Sequence, residues 1–292
     1  MPNLEPQHHE VTCLSPSGLH RMGYWSWGHP SADQVVVCVH GLTRQGRDFD
    51  TLARRLAERA WVICPDVVGR GTSDRLADPA GYAVPQYVAD MVTLVARLGV
   101  GQVDWVGTSM GGLIGMGLAS LPRSPIRRLV LNDVGPRLAY SALQRIGAYV
   151  GLPISWATPE EAAAALWAVS SGFGPHTPEQ WMALTRPQLV QTPEGRWASR
   201  YDPAIAHNFK QISPEWAEAS EAALWSAYDR IACATLLLRG RDSDLLTADT
   251  AEAMTARGPR ARCITFDGVG HAPTLIAPDQ VKAVTDFLWA DG

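Results

Sequence analysis

Six short, uninterrupted apolar runs, set apart by stretches of helical periodicity, constrain this chain more than any other feature of its 292 residues. They are "VVVCVHG" (35–41), "WVICPDVVG" (61–69), "VDWVGTSMGG" (103–112), "RLVLNDVG" (128–135), "ATLLLRG" (234–240) and "ARCITFDG" (261–268). A strand with one wet face alternates apolar and polar residues, whereas a strand covered on both faces need not. None of these runs alternates, so they predict strands in the interior of a parallel sheet. Between them, "FDTLARRLAERA" (49–60) and "PQYVADMVTLVARLG" (85–99) gather apolar residues onto one helical face. Strand and helix in turn predict an α/β fold with a doubly wound, mostly parallel sheet. "GLHRMGYWSWG" (18–28) predicts an antiparallel hairpin at one edge.

The alternation stops near Pro136 and resumes near Pro214. That span shows no convincing strand and carries Trp156, Trp167, Trp181 and Trp197, with Trp216 and Trp225 just beyond it. It predicts a helical cap, residues 136–213, inserted into a core made of residues 1–135 and 214–292. The cap is expected over the edge of the sheet where the strands end. Its tryptophans suit either an apolar substrate group or the sealing of the cap onto the core.

Composition narrows the class of partner. The net charge is −4, from 25 basic and 29 acidic residues with no basic block, which disfavours nucleic acid and anionic membrane surfaces. No apolar stretch reaches the roughly 20 residues that span a bilayer, and the N-terminus lacks a signal pattern, so a cytoplasmic protein is expected. Cys13, Cys38, Cys64, Cys233 and Cys263 show no paired spacing, and three of them lie in strand-like runs. Free thiols in a reducing compartment are expected. No His, Cys or Asp cluster has metal-ligand spacing, and no phosphate-binding loop or dinucleotide fingerprint is present.

The chemistry centres on "GTSMGG", where Ser109 occupies Gly-x-Ser-x-Gly between a strand and a helix. A sharp strand-to-helix turn exposes the serine hydroxyl, and Gly107 and Gly111 leave room for the neighbouring backbone. The helix that follows aims its first amides, led by that of Met110, at any anion formed nearby. "CVHGLTRQG" (38–46) follows the preceding strand and offers the backbone N–H of Leu42 as a second donor. His40 is expected to brace this loop, not to act as a base. Arg44 and Arg47 fit either the pocket mouth or solvent. A serine needs a base near neutral pH. His271, in the glycine-rich loop "FDGVGHAP" after the last strand, has the right place and chain order. His8, His9, His20, His29, His176 and His207 belong to the N-terminal segment, the hairpin or the cap.

"VHGL" (39–42), "DVVGRGTSD" (66–74), "GTSMGG" (107–112), "RGRDSDLL" (239–246) and "GVGH" (268–271) together resemble enzymes of the α/β-hydrolase fold, over nearly the whole chain. They look like a serine esterase with a helical cap. The resemblance implies a Ser–His–Asp triad, an oxyanion hole from the backbone N–H groups of Leu42 and Met110, and no cofactor. Serine at 109 argues against haloalkane dehalogenases and epoxide hydrolases, whose elbow carries aspartate. Many members place the triad acid three residues after the glycine ending the penultimate strand, but here that residue is Ser243. "GRDSDLL" is similar to the form in homoserine acetyltransferase-like members, which makes Asp244 the expected acid. A subset of esterases with serine at that place uses an aspartate one strand earlier, which makes Asp133 the alternative. Asp242 is expected as a turn residue, and Asp66 and Asp74 as loop braces or caps.

The expected activity is hydrolysis of a carboxylic ester through an acyl-enzyme, on a small substrate bearing an apolar group. A carbon–carbon bond hydrolase of meta-cleavage type, an acyltransferase and a non-enzymatic ligand receptor are the rival readings. A homodimer is left open.

Overall fold

A computed structural model describes residues 3–209 and 212–290. The chain opens with an antiparallel hairpin, β1 (Gln7–Ser15) and β2 (Gly18–Trp27), at the edge of the sheet. There follow β3 (Gln34–Val39), α1 (Asp50–Leu56), β4 (Ala60–Pro65), α2 (Val84–Leu98), β5 (Val103–Thr108), α3 (Met110–Ala119) and β6 (Ile126–Asn132). The next stretch leaves the sheet as α4 (Tyr140–Tyr149), β7 (Ser155–Trp156), α5 (Pro159–Ser170), α6 (Pro178–Thr185), β8 (Leu189–Gln191), β9 (Trp197–Ser199) and α7 (Ala206–Phe209). The chain returns through α8 (Pro214–Asp229) to β10 (Ala234–Gly240), α9 (Ala248–Ala256), β11 (Arg262–Phe266) and α10 (Pro278–Leu288).

Eight strands form one sheet in the order β1-β2-β4-β3-β5-β6-β10-β11. β2 runs antiparallel to β4, and every pairing from β4 to β11 is parallel. The apolar runs divide by period two: Val35, Val37 and Val39 of β3 join one core cluster, while Val36 and Cys38 join the other. The first cluster packs under α2, α3 and α8, and the second under α1 and α10. Both faces are dry, which is why the runs showed no alternation. Among the described residues no helix is long and apolar enough to cross a membrane.

From β3 the chain steps one way to β4 and then back across to β5. The loops after β3 and β5 therefore diverge, and a crevice opens at the strand ends between them, where open α/β sheets bind ligands. The inserted stretch faces this crevice. It differs from expectation in holding a three-stranded antiparallel sheet, β7-β9-β8, beside its helices. These strands have two or three residues each, too few to give a periodic signal.

Candidate active site

Ser109 sits at the tip of the turn from β5 into α3 with φ 52° and ψ −115°, a left-handed φ that an L-residue adopts only under constraint. Two glycines permit the turn. A Cβ on Gly111 would stand 2.0 Å from the carbonyl oxygen of Val39, and one on Gly107 2.3 Å from that of Gly111. The Ser109 N–H donates to the Asn132 carbonyl at 3.0 Å, and the buried Trp105 indole donates to the Gly111 carbonyl at 3.0 Å. The elbow is thus clamped from the neighbouring strand and from beneath.

His271 Nε2 lies 2.9 Å from Ser109 Oγ, and His271 Nδ1 lies 2.8 Å from Asp133 Oδ2. A carboxylate only accepts, so Nδ1 carries the proton in this arrangement and Nε2 is left to accept from the serine hydroxyl. Asp133 is fully buried, directly after β6, at φ 55°. Its Oδ1 accepts from the Gly240 N–H at 2.9 Å, and its Oδ2 also accepts from the Ser243 hydroxyl at 2.6 Å. Asn132 Nδ2 donates to the Pro273 carbonyl at 2.7 Å and to Thr108 Oγ1 at 2.9 Å, tying the His271 loop to β5 and β6.

The expected acid, Asp244, is not in this chain of contacts. Its side chain is half exposed and accepts from Arg145 of α4, with Nη2 at 2.6 Å. The physical reason lies at Ser243. The turn after β10 points this short hydroxyl inward as a donor to Asp133, which carries Asp244 one residue further, toward solvent. Asp242 belongs to the same turn, with the Ser243 N–H donating to the Gly240 carbonyl at 3.1 Å. Serine at this place was the signal for the alternative acid.

His40 is buried and braces the loop as expected. Nδ1–H donates to the Gly41 carbonyl at 2.7 Å, and Nε2 accepts from the Val67 N–H at 2.9 Å. Burial, helped by the nearby charges of Arg70 and Arg44 and opposed by the Gly41 contact, pushes this imidazole down to about 3. It is therefore neutral at physiological pH. Asp66 accepts from the backbone N–H groups of Gly46 and Thr72, at 2.7 and 2.8 Å, and Asp74 accepts from the Arg21 backbone and guanidinium. Arg44 reaches the cavity, while Arg47 pairs with Asp50 and lies over Trp25.

Arg70 escaped the sequence reading. It is fully buried, and its Nε donates to the Leu42 carbonyl at 2.8 Å while Nη2 approaches Met110 Sδ at 3.6 Å. Nη1 donates to the Val68 carbonyl and the Tyr87 hydroxyl. Among the described residues no carboxylate pairs with it, so an unmatched cation rests against both Leu42 and Met110. The sole signal was an arginine between two glycines in "GRG" (69–71).

Gly41, Leu42, Ser109 and His271 open onto a cavity of about 250 Å³. Its outer wall comes from the inserted stretch and includes Ile146, Ile154, Trp156 and Leu166. Trp167, Trp181 and His176 instead pack edge-on to one another within the insertion, and Trp197 lies under Arg186. Of these four tryptophans only Trp156 reaches the cavity. Away from it, Cys13, His20 and Asp90 bring ligand-type atoms within 4.8 Å of one another between the edge hairpin and α2. Their distance in sequence hid this group. His20 Nε2 contacts Asp90 Oδ2 at 3.0 Å, and Gln86 donates to the other oxygen at 2.8 Å.

Known proteins resemble the chain over nearly its whole length. The chain is 54% identical over 281 residues to a 3-hydroxybutyrate-oligomer hydrolase of Cupriavidus necator, covering 95% of this chain and 96% of that one. An alpha/beta hydrolase of Novosphingobium aromaticivorans superposes with a TM-score of 0.85 at 36% identity, covering 97% of this chain and 99% of that one. A putative hydrolase of Rickettsia typhi gives a TM-score of 0.88 at 28% identity, covering 99% and 100%. Residues 36–284 match the model of the alpha/beta hydrolase family, and the chain belongs to that family.

Proposed function

We propose that this protein is a serine esterase that hydrolyses short linear oligomers of a hydroxyacid, with Ser109, His271 and Asp133 as its triad. The hydrogen-bonded relay from Ser109 Oγ through His271 to Asp133, opening into the cavity, carries this reading. The substrate class is taken from the oligomer hydrolase that the chain resembles along almost its whole length. Residues 136–213 act in this reading as the lid over the site.

Ser109 Oγ attacks the ester carbonyl while its proton passes to His271 Nε2. Asp133 keeps the other ring nitrogen protonated and balances the imidazolium. The oxyanion is met by the backbone N–H groups of Leu42 and Met110, each contributing about 3–4 kcal/mol in a well-dried site. Collapse of the intermediate breaks the bond to the alcohol oxygen, which leaves with the proton from His271. The acyl group stays on Ser109. Water then attacks, gives a proton to His271, and the free acid departs as Ser109 recovers its own.

The test is hydrolysis of 3-hydroxybutyrate dimer and trimer and of p-nitrophenyl butyrate by wild type and Ser109→Ala. Wild type is expected to release monomer and p-nitrophenol, and Ser109→Ala to fall at least a thousandfold. Equal rates in the two proteins would refute the mechanism. Activity on the nitrophenyl ester with none on the oligomers would refute the substrate class.

A further inference from the structure

Two arginines reach the cavity, and their surroundings differ. Arg44 sets Nε and Nη2 against both oxygens of Asp48, at 2.5 and 2.9 Å, in a pair whose side chains are 14% and 16% exposed. Nη2 also reaches the Leu184 carbonyl at 3.4 Å, and the group lies over the Phe173 ring. Its charge is matched and its planar edge is occupied. Arg145 instead aims Nε and Nη2 at one oxygen of Asp244, at 2.9 and 2.6 Å, with both side chains about half exposed. A guanidinium carries five N–H donors, and such a pair in water is weakly held and readily shared. Tyr149 and Tyr201 line the cavity near it, and Arg145 lies within reach of the Tyr149 hydroxyl.

A linear hydroxyacid oligomer has a neutral, weakly polar body and a single anionic end, its free carboxylate. The cavity offers a matching pattern: chiefly apolar walls and, at Arg145, a cation whose donors are only partly engaged. We propose that Arg145 is a specificity-determining residue that binds the terminal carboxylate of the oligomer, sharing or displacing Asp244. The enzyme then prefers chains that end in a free acid over the same chains capped as esters. This rests on the oligomer-esterase reading above.

The experiment compares kcat/KM for 3-hydroxybutyrate trimer with that for its methyl ester, in wild type, Arg145→Gln and Arg145→Lys. Wild type should favour the free acid. A charge-assisted hydrogen bond lost from a bound carboxylate corresponds to about a tenfold to hundredfold drop in that ratio for Arg145→Gln. The drop should fall mainly in KM, and Arg145→Lys should restore part of it. The wild-type ratio should also shrink as salt is raised from 0.05 to 0.5 M, on the order of a few-fold, a readout that does not depend on any variant folding. A ratio unchanged in Arg145→Gln, or insensitive to salt, overturns the assignment while leaving the esterase reading intact. Failure of wild type to cleave either trimer, with p-nitrophenyl butyrate still turned over, overturns the substrate class and this assignment with it.

Discussion

At Asp133 one carboxylate receives an imidazole N–H, a backbone N–H and a serine hydroxyl, all out of water. Replacing it by asparagine keeps the shape but lets the amide favour the wrong tautomer of His271. Asp133→Asn should therefore lose about 10⁴ in kcat on a neutral ester. Asp244→Asn breaks only the half-exposed pair with Arg145 and should stay within about tenfold of wild type on that ester. Steady-state kinetics of the two variants decide the acid, and the reverse order would restore Asp244. His40 gives a second prediction. In the unfolded chain it titrates near 6.5, but burial holds the folded ring near 3. The unfolded state binds the extra proton between those values, so this contribution to stability is complete above pH 6.5 and is lost as pH falls toward 3. From pH 7.5 to 5.0 the linkage amounts to about 2 kcal/mol. His40→Asn lacks it, so the stability gap between wild type and variant should narrow by about that much in urea titrations at the two pH values. A constant gap would mean that His40 is charged in the fold.

Among the elements, the strand–turn–helix around Ser109 tolerates least. Gly111→Ala would press a methyl group against the Val39 carbonyl at 2.0 Å, backbone that cannot swing aside. A loss of about 3 kcal/mol or more, or failure to fold, is expected in thermal or denaturant unfolding. A cost under 1 kcal/mol would show that the elbow can relax. The same turn explains what the sequence could reveal. The placing of Ser109, Met110, Leu42 and His271 beyond strand ends was legible because an apolar run marks where each strand ends. The choice between Asp133 and Asp244 was not, because both follow strands and differ in which side chain the turn directs inward. That outcome is fixed by Ser243 and by the left-handed backbone at Asp133, features of three-dimensional closure, not of local pattern. Arg70 was hidden for a related reason: a charged residue in a glycine-rich loop reads as solvated until the loops after β3 and β4 fold over it. The short strands of the insertion, two or three residues each, pair across about 40 residues of chain between β7 and β9 and across 10 or fewer between β8 and β9, and left no periodic trace.

At the scale of the molecule, Ser109, His271 and Asp133 rest on the sheet while much of the cavity wall belongs to the inserted stretch, so on the proposed reading the seam between them governs binding more than chemistry. Tyr82, in the loop after β4, is central to that seam. Its hydroxyl donates to Asp202 Oδ2 at 2.6 Å and accepts from the Leu76 N–H at 2.8 Å, both buried. Beside it, the Asp202 N–H donates to the Gly69 carbonyl at 2.7 Å and Asn208 donates to the Tyr82 carbonyl at 2.8 Å. Tyr82→Phe keeps the ring but leaves one buried acceptor and one buried donor short of a partner, at a cost of about 1–3 kcal/mol. The sheet makes no direct use of that hydroxyl, so the loss should appear as local opening of the inserted stretch, not as global unfolding. Limited proteolysis should cut residues 137–209 several-fold faster than in wild type, while amide exchange in β5 and β6 stays as slow as before. On a short activated ester kcat should change little, because Ser109, His271 and Asp133 keep their contacts, whereas KM for an oligomer that needs the wall should rise. Equal losses in kcat and KM would show that the seam also sets the contacts among Ser109, His271 and Asp133, and unchanged proteolysis would show that other contacts, such as His176 with Thr274 at 2.8 Å, hold the inserted stretch by themselves.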